Sequence, residues 1–398
     1  MDKIRNPFTP GAGTPPPELA GRAAIIEDAT VAIQRCILGK SARSQILLGL
    51  RGVGKTVLLL KIAEIAENAG FLPISIEAPE DRTLAKMLVP KLRQTLYTLS
   101  RTEKAKDVAR KALSVLRAFA GAFKITVSDI EFGINPEPGT ADSGDLEADL
   151  PELLSAVATT AKADGKAIAL FIDEIQYLTG KELGALIVAI HHLNQKQLPF
   201  IFFGAGLPQV AKLAGDAKSY AERLFSYPAI GPLSRQALED ALKTPILREG
   251  AHIEPKALDL LMKKSQGYPY FVQTWGSHTW NSARTSPIVA ADVTNAAPGV
   301  LHELDNGFFQ VRLDRLTPRE RDYVMAMAEL GEGSHRSGEI ATKIGMEVSA
   351  AGALRDGLIK KGMIYSPQHG DTDFTVPMFG EFLLRTSKKA TGAQKKTR

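Results

Sequence analysis

The first half of the chain alternates short, unbroken apolar runs with longer segments of helical period, and the second half keeps the helical period almost throughout. Runs at 45–48, 71–76, 167–172 and 198–203 read as strands buried on both faces. Between them, helical patterns cover Ile25, Ile26, Val31 and Ile33, then 57–66, 83–100 and 104–122. A hairpin-like insert is expected at about 124–134 and a loop at 135–145. Residues 1 to about 20, rich in Pro and Gly, are expected to run extended across a surface. Strands alternating with helices in this way predict an α/β doubly wound parallel sheet, with ligands at the carboxyl ends of its strands.

From about residue 232 the pattern is helical at 234–247, 255–265 and 269–281, the last opening with Pro at a position that tolerates it. This reads as a small helical lid. After a linker near Asn306, helices at 317–330, 337–344 and 347–361 lead into an apolar stretch at 362–365, a polar turn at 368–372 and a second stretch at 374–376. Three helices and a hairpin spell a winged helix. The expected division is therefore 1–22 extended, 23–231 α/β, 232–305 lid, 306–385 winged helix and 386–398 a basic, disordered tail.

Composition changes this picture only at its edges. A length of 398 residues implies two or three domains, and 44% hydrophobic content permits well-built cores. The lone cysteine, Cys36, excludes an intramolecular disulfide framework and, with no secretory leader, points to the cytoplasm. No apolar run approaches the ~20 residues that cross a bilayer, so no membrane partner is expected. The net charge is +5, and Lys388, Lys389, Lys395, Lys396 and Arg398 account for it, which makes bulk charge a poor sign of nucleic-acid binding.

Gly49-Leu50-Arg51-Gly52-Val53-Gly54-Lys55-Thr56 has the spacing of a phosphate-binding loop and lies between a strand-like and a helix-like stretch, where that spacing has physical meaning. Its glycines let successive N–H groups turn toward a polyanion at the positive end of a helix. Lys55 would reach the terminal phosphates and Thr56 a magnesium ion. The run at 167–172 ends in Asp173-Glu174, two adjacent carboxylates capping a buried strand. Behind a phosphate loop, Asp173 is expected to anchor hydrated Mg2+ and Glu174 to orient or deprotonate the attacking water.

These residues resemble the AAA+ P-loop ATPases, within them the origin-recognition initiators and the related STAND signalling ATPases, over about 18–385. By resemblance, Gly21 and Arg22 belong to a box that lies close to the adenine, and Gly267-Tyr268-Pro269 is similar to the lid signature of the STAND group, also near the base. Arg223 falls where AAA+ proteins place an arginine that reaches a neighbouring subunit's phosphate; an intramolecular ion pair is its other reading. The family's polar sensor near 203–206 and its lid arginine near 267–271 are both missing. The resemblance thus implies slow ATP turnover, a lid held differently by ATP and ADP, and a nucleotide-dependent homo-oligomer.

In a winged helix the third helix enters the major groove, so Ser349 and Arg355 are expected at bases and Arg336 and Lys361 at phosphates of duplex DNA. Residues 313–385 hold nine basic groups against eleven acidic ones, so packing on the chain's own nucleotide domain is the alternative. Two functions follow: an initiator-like DNA-binding ATPase, or a STAND-type switch that engages itself or a protein partner.

Overall fold

A computed structural model of the chain describes all residues except 12, 80, 127–138, 369 and 395–398, with side chains described through residue 387. The hairpin expected at 124–134 lies largely outside the described residues. The chain divides into two compact units, Arg22–Leu48 with Lys55–Ala229, and Met1–Gly21 with Gly49–Gly54 and Ile230–Arg398.

The first unit runs α1 (Ala23–Ile37), β1 (Ser44–Leu48), α2 (Lys55–Asn68), β2 (Phe71–Glu77), α3 (Leu84–Ser100), α4 (Lys106–Ala122), α5 (Leu146–Ala163), β3 (Ala167–Asp173), α6 (Gly180–Gln195), β4 (Phe200–Gly206), α7 (Val210–Ala217), α8 (Ala221–Leu224) and β5 (Phe225–Ser226). Its five strands make one parallel sheet in the order β2-β3-β4-β1-β5. Every residue of β3 and β4 is buried, as expected of strands covered on both faces. Because β4 sits between β1 and β3, the ends of those two strands lie about two strand spacings, roughly 10 Å, apart. Side chains following them can therefore meet across the end of β4.

Helix α6 is fixed by a buried carboxylate. Thr179 and Glu182 form a capping box, and the second Glu182 oxygen accepts the Leu84 N–H at 2.7 Å, tying the start of α3 to the start of α6.

The second unit continues with α9 (Arg235–Arg248), α10 (Pro255–Ser265), α11 (Pro269–Ser282), α12 (Ala290–Glu303), α13 (Val311–Leu313), α14 (Pro318–Leu330), β6 (His335–Arg336), α15 (Ser337–Lys343), α16 (Val348–Lys360), β7 (Ile364–Tyr365), β8 (Asp371–Phe374) and α17 (Phe379–Gln394). Strands β6, β8 and β7 form a small antiparallel sheet in that order. The N-terminal segment lies along α11. Asp2 O accepts from the Trp280 indole, Asn6 Nδ2 donates to Ser277 and Asn281, and Thr9 N donates to Gln273, positions that repeat at helical spacing on one face.

Several elements differ from the sequence expectation. The linker expected near Asn306 is π-helical from Leu304 to Gln310, because Leu304, Phe308 and Phe309 are buried and hold the helix through an Asn-Gly pair that reads locally as a turn. Asp371 and Thr372, expected in a turn, open β8. Helix α17 carries the chain past residue 386, where a disordered tail was expected, anchored by the buried Phe379, Phe382 and Leu383. Among the described residues no helix is long and apolar enough to cross a membrane.

Candidate nucleotide site

In the first unit, α2 begins at Lys55 immediately after the glycine loop, which puts Lys55 and Thr56 in its first turn. Lys55 is buried despite its charge. The Thr56 hydroxyl donates to Asp173 Oδ2 at 2.6 Å, so the side chains that follow β1 and close β3 meet as the strand order allows. The other Asp173 oxygen accepts the Glu174 N–H at 2.8 Å. Burial pushes the Asp173 carboxyl above its ordinary range, and the two hydrogen bonds only partly oppose it.

That shift has a consequence for stability. A carboxyl whose folded pKa lies above its unfolded value costs nothing below the unfolded value, and its full cost is present above the folded one. Asp173→Asn is therefore expected to raise the unfolding midpoint of the nucleotide-free protein at neutral pH, with the gain vanishing in acid. A lower midpoint at neutral pH would contradict this reading.

Glu174 is one of few non-glycine residues with positive φ, +52°, in the left-handed region. Such a backbone costs on the order of 1 kcal/mol and is seen where the surroundings hold it in place. Here the holder is Gln176, whose amide N–H donates to Glu174 Oε2 while its carbonyl oxygen accepts the Leu207 N–H at 3.2 Å. Gln176 thus couples the carboxylate to the end of β4. Its only sequence signal is a polar residue two positions beyond Asp173-Glu174.

In the second unit, the loop residues Gly49–Gly54 contact their own surroundings. A Cβ at Gly49 would lie 2.2 Å from Ile230 O, and Gly54 has φ +90°, so neither position accepts a side chain without strain. Gly52 O accepts the Tyr270 N–H at 3.3 Å, next to Pro269 at the start of α11. Arg51 N donates to Thr375 O at 3.0 Å, and Arg51 Nε donates to Gly362 O at 3.3 Å. Thr375 is fully buried, and its hydroxyl bonds Gly362 O at 2.6 Å. The C-terminal segment therefore grips the loop at its third position.

The remaining expected site residues are placed as follows. Leu50 is half-buried and Val53 buried in the loop. Gly21 has φ +70° and packs on Ala237, while Arg22 is buried and burial lowers its pKa. Tyr268 is half-buried, and burial, then the nearby Asp373 carboxylate, raises its pKa. Arg223 is exposed on α8 and forms no ion pair among the described residues. Arg336 and Ser349 are exposed. Arg355 and Lys361 are engaged internally. Arg355 Nε donates to Thr372 Oγ1 at 3.1 Å, and Lys361 Nζ donates to Glu320 Oε2 at 2.6 Å and Arg315 O at 3.0 Å.

A threonine hydroxyl and a carboxylate are hard oxygen donors of the kind Mg2+ takes. Among the described residues no cluster of three or more His, Cys, Asp or Glu can hold a metal alone. A magnesium here would need its other ligands from water and phosphate.

Residues 18–203 match a family described as the AAA ATPase domain, and residues 306–383 match one described as a domain of unknown function (DUF8462). An uncharacterized HTH-type transcriptional regulator of Methanocaldococcus jannaschii is 23% identical over 84% of this chain and 82% of its own length. Among solved structures, a Walker-type ATPase of Pyrococcus abyssi covers 92% of this chain and 96% of its own at 17% identity and a TM-score of 0.59. The Aeropyrum pernix ORC1 protein in complex with DNA is similar at 14% identity and a TM-score of 0.45, covering 94% of this chain and 95% of its own. Over residues 18–203, then, the chain matches the AAA ATPase domain, in the parallel α/β fold it shares with the Pyrococcus Walker-type ATPase.

Proposed function

We propose that this chain binds ATP with magnesium, hydrolyses it slowly, and uses the difference between its ATP and ADP states to switch conformation or assembly. The contact that carries this reading is Thr56 Oγ1 to Asp173 Oδ2, the pair through which P-loop ATPases hold their metal, with Glu174 next in the chain. In this reading the N–H groups of Gly49 to Thr56 hold the phosphates and Lys55 neutralises them. Thr56 and Asp173 hold the magnesium, whose chemistry is to offset charge on the phosphates. Glu174, positioned by Gln176, takes the proton of the attacking water. Gly21, Arg22, Tyr268 and Pro269 border the base, and exposed Arg223 serves a neighbouring copy in a homo-oligomer.

The C-terminal domain acts as a winged helix on duplex DNA, with Arg336 and Ser349 as its surface contacts. The helix–strand order of 318–374 and the relative described as an HTH-type regulator support this. Arg355 and Lys361, engaged inside the domain, shape it rather than touch DNA. The test is retention on a duplex at low salt with and without ATP. Retention that falls in Arg336→Ala is expected, and no retention in either state removes the DNA reading.

One observation favours a second reading, the STAND-type switch. Within the second unit Arg51 joins the loop to Gly362 and Thr375, which supports a C-terminal segment coupled to the phosphate loop instead of to DNA. That reading expects protein that purifies with ADP held and turns over slowly; protein that purifies empty and cycles fast contradicts it.

A further inference from the structure

Residues 82–124 hold eleven Lys and Arg against two acids, Glu103 and Asp107, a local net charge of +9 where the whole chain carries +5. These residues build α3 and α4, which pack on each other in the first unit. Helix α4 is buried on most sides, by Ala109, Leu113, Leu116 and Phe119 among others. What it leaves to solvent is largely basic. Lys106, Arg110 and Arg117 are exposed and, at 100° per residue, fall within about 40° of one line and along roughly 16 Å of helix. The outer face of α3 adds a concavity of about 480 Å³ lined by Pro90, Arg93, Gln94, Tyr97, Thr98 and Arg101.

Stability does not explain this arrangement. Lys106 and Arg110 stand four apart on one helix, a like-charge spacing that is unfavourable, and Lys106 is at the helix N-terminus, where a cation opposes the dipole. Among the described residues Arg101, Arg110 and Lys111 form no ion pair, and Lys106 has only a 4.0 Å exposed contact with Glu103. A ligand of extended negative charge would offset the repulsion.

The apolar content of the face bears on which polyanion it suits. Protein interfaces need apolar or aromatic anchors at their centre. None of the exposed large apolar side chains among the described residues lies on α3 or α4. A row of cations whose aromatic and apolar neighbours in the α3 concavity are confined to the half-buried Tyr97 and to Pro90 suits a repeating phosphodiester backbone, which binds mainly by counterion release.

We infer that the α3–α4 face is a second nucleic-acid contact, binding the phosphate backbone of a duplex without reading its sequence. It shares with the proposed function only the ligand and stands on different residues. The test is the salt dependence of binding of the full chain to a random-sequence duplex, made once as DNA and once as RNA to tell the source of the phosphates. The variant Arg101→Gln, Lys106→Gln, Arg110→Gln changes only exposed side chains. It is expected to lower affinity roughly ten-fold or more near 0.1 M salt and to lower the slope of log K against log salt by about 2.7, or 0.9 per lost contact. Lys256→Gln, Lys263→Gln, Lys264→Gln, which removes the same charge from α10, is expected to change neither. Unchanged affinity and slope in the α3–α4 variant overturn the inference, as does wild-type protein that retains polyglutamate or anionic vesicles but not the duplex. Loss of binding only in Arg336→Ala would leave the winged-helix reading standing and sink this one; loss only in the α3–α4 variant would do the reverse.

Discussion

Glu174→Gln is expected to lower ATP turnover by about two to four orders of magnitude while leaving ATP bound, the range that removal of a positioned general base covers. The substitution keeps size and shape, and the amide can still meet the Gln176 side chain, so the left-handed turn at residue 174 is retained. What it removes, in the proposed function, is the acceptor for the water's proton. In the proposed function binding depends on different groups, the loop amides, Lys55 and the Thr56–Asp173 pair, and the substitution alters none of them. Steady-state phosphate release, with nucleotide content measured on the same sample, checks both halves. Turnover equal to wild type would place the base elsewhere, and loss of nucleotide would make Glu174 a binding residue.

The second large effect is on stability. Lys361 Nζ lies 2.6 Å from Glu320 Oε2, and the Glu320 side chain is 8% exposed and that of Lys361 29%. Burial alone would raise the Glu320 carboxyl, but the Lys361 ammonium and the Thr317 N–H outweigh it and hold the group below the usual glutamate range. Breaking a buried pair by removing one partner costs about 3–5 kcal/mol, and the partial exposure of Lys361 reduces this to about 2–3 kcal/mol for Lys361→Met.

The pH dependence fixes the sign. In the wild type the folded pKa is depressed, so the pair's contribution is present above the unfolded pKa and is lost as pH falls through the folded one. In Lys361→Met the ammonium no longer opposes burial, so the folded pKa moves up and the stability lost relative to wild type grows as pH rises. Denaturant unfolding at pH 7 and near pH 4 is therefore expected to show a large difference from wild type at the first and a smaller one at the second. Equal stability at pH 7 would mean that Lys361 is held for a ligand and not for the fold.

The elements that position the site were legible because their signals were local. An apolar run followed by G-x-x-x-x-G-K-T can be read within twelve residues, and β3 is an unbroken apolar stretch ending in two acids. Helices α5 and α6 carry no such local signal. In α5, Leu150, Leu153, Leu154, Val157, Ala158 and Ala161 are all buried, so little polar face remains to set a period, and Pro151, inside the helix, reads as a breaker. Helix α12 was hidden in the same way by Pro298. Contacts distant in sequence were out of reach. Nothing near Arg355 announces Thr372, and nothing near Arg51 announces Gly362 and Thr375, because these pairs are made by tertiary packing. The charge of α3 and α4 was present in the sequence but averaged away in the chain total, and only helix phase shows that the cations share a line.

The central claim is that the loop from Gly49 to Thr56 holds a nucleotide triphosphate through a metal shared with Asp173. Titration calorimetry of the folded, nucleotide-stripped chain with ATP, with and without magnesium, tests it most directly. The expected result is one-to-one binding that tightens with magnesium in the wild type and no longer does so in Asp173→Asn. No heat with ATP or GTP in a sample whose circular dichroism shows it folded would contradict the account.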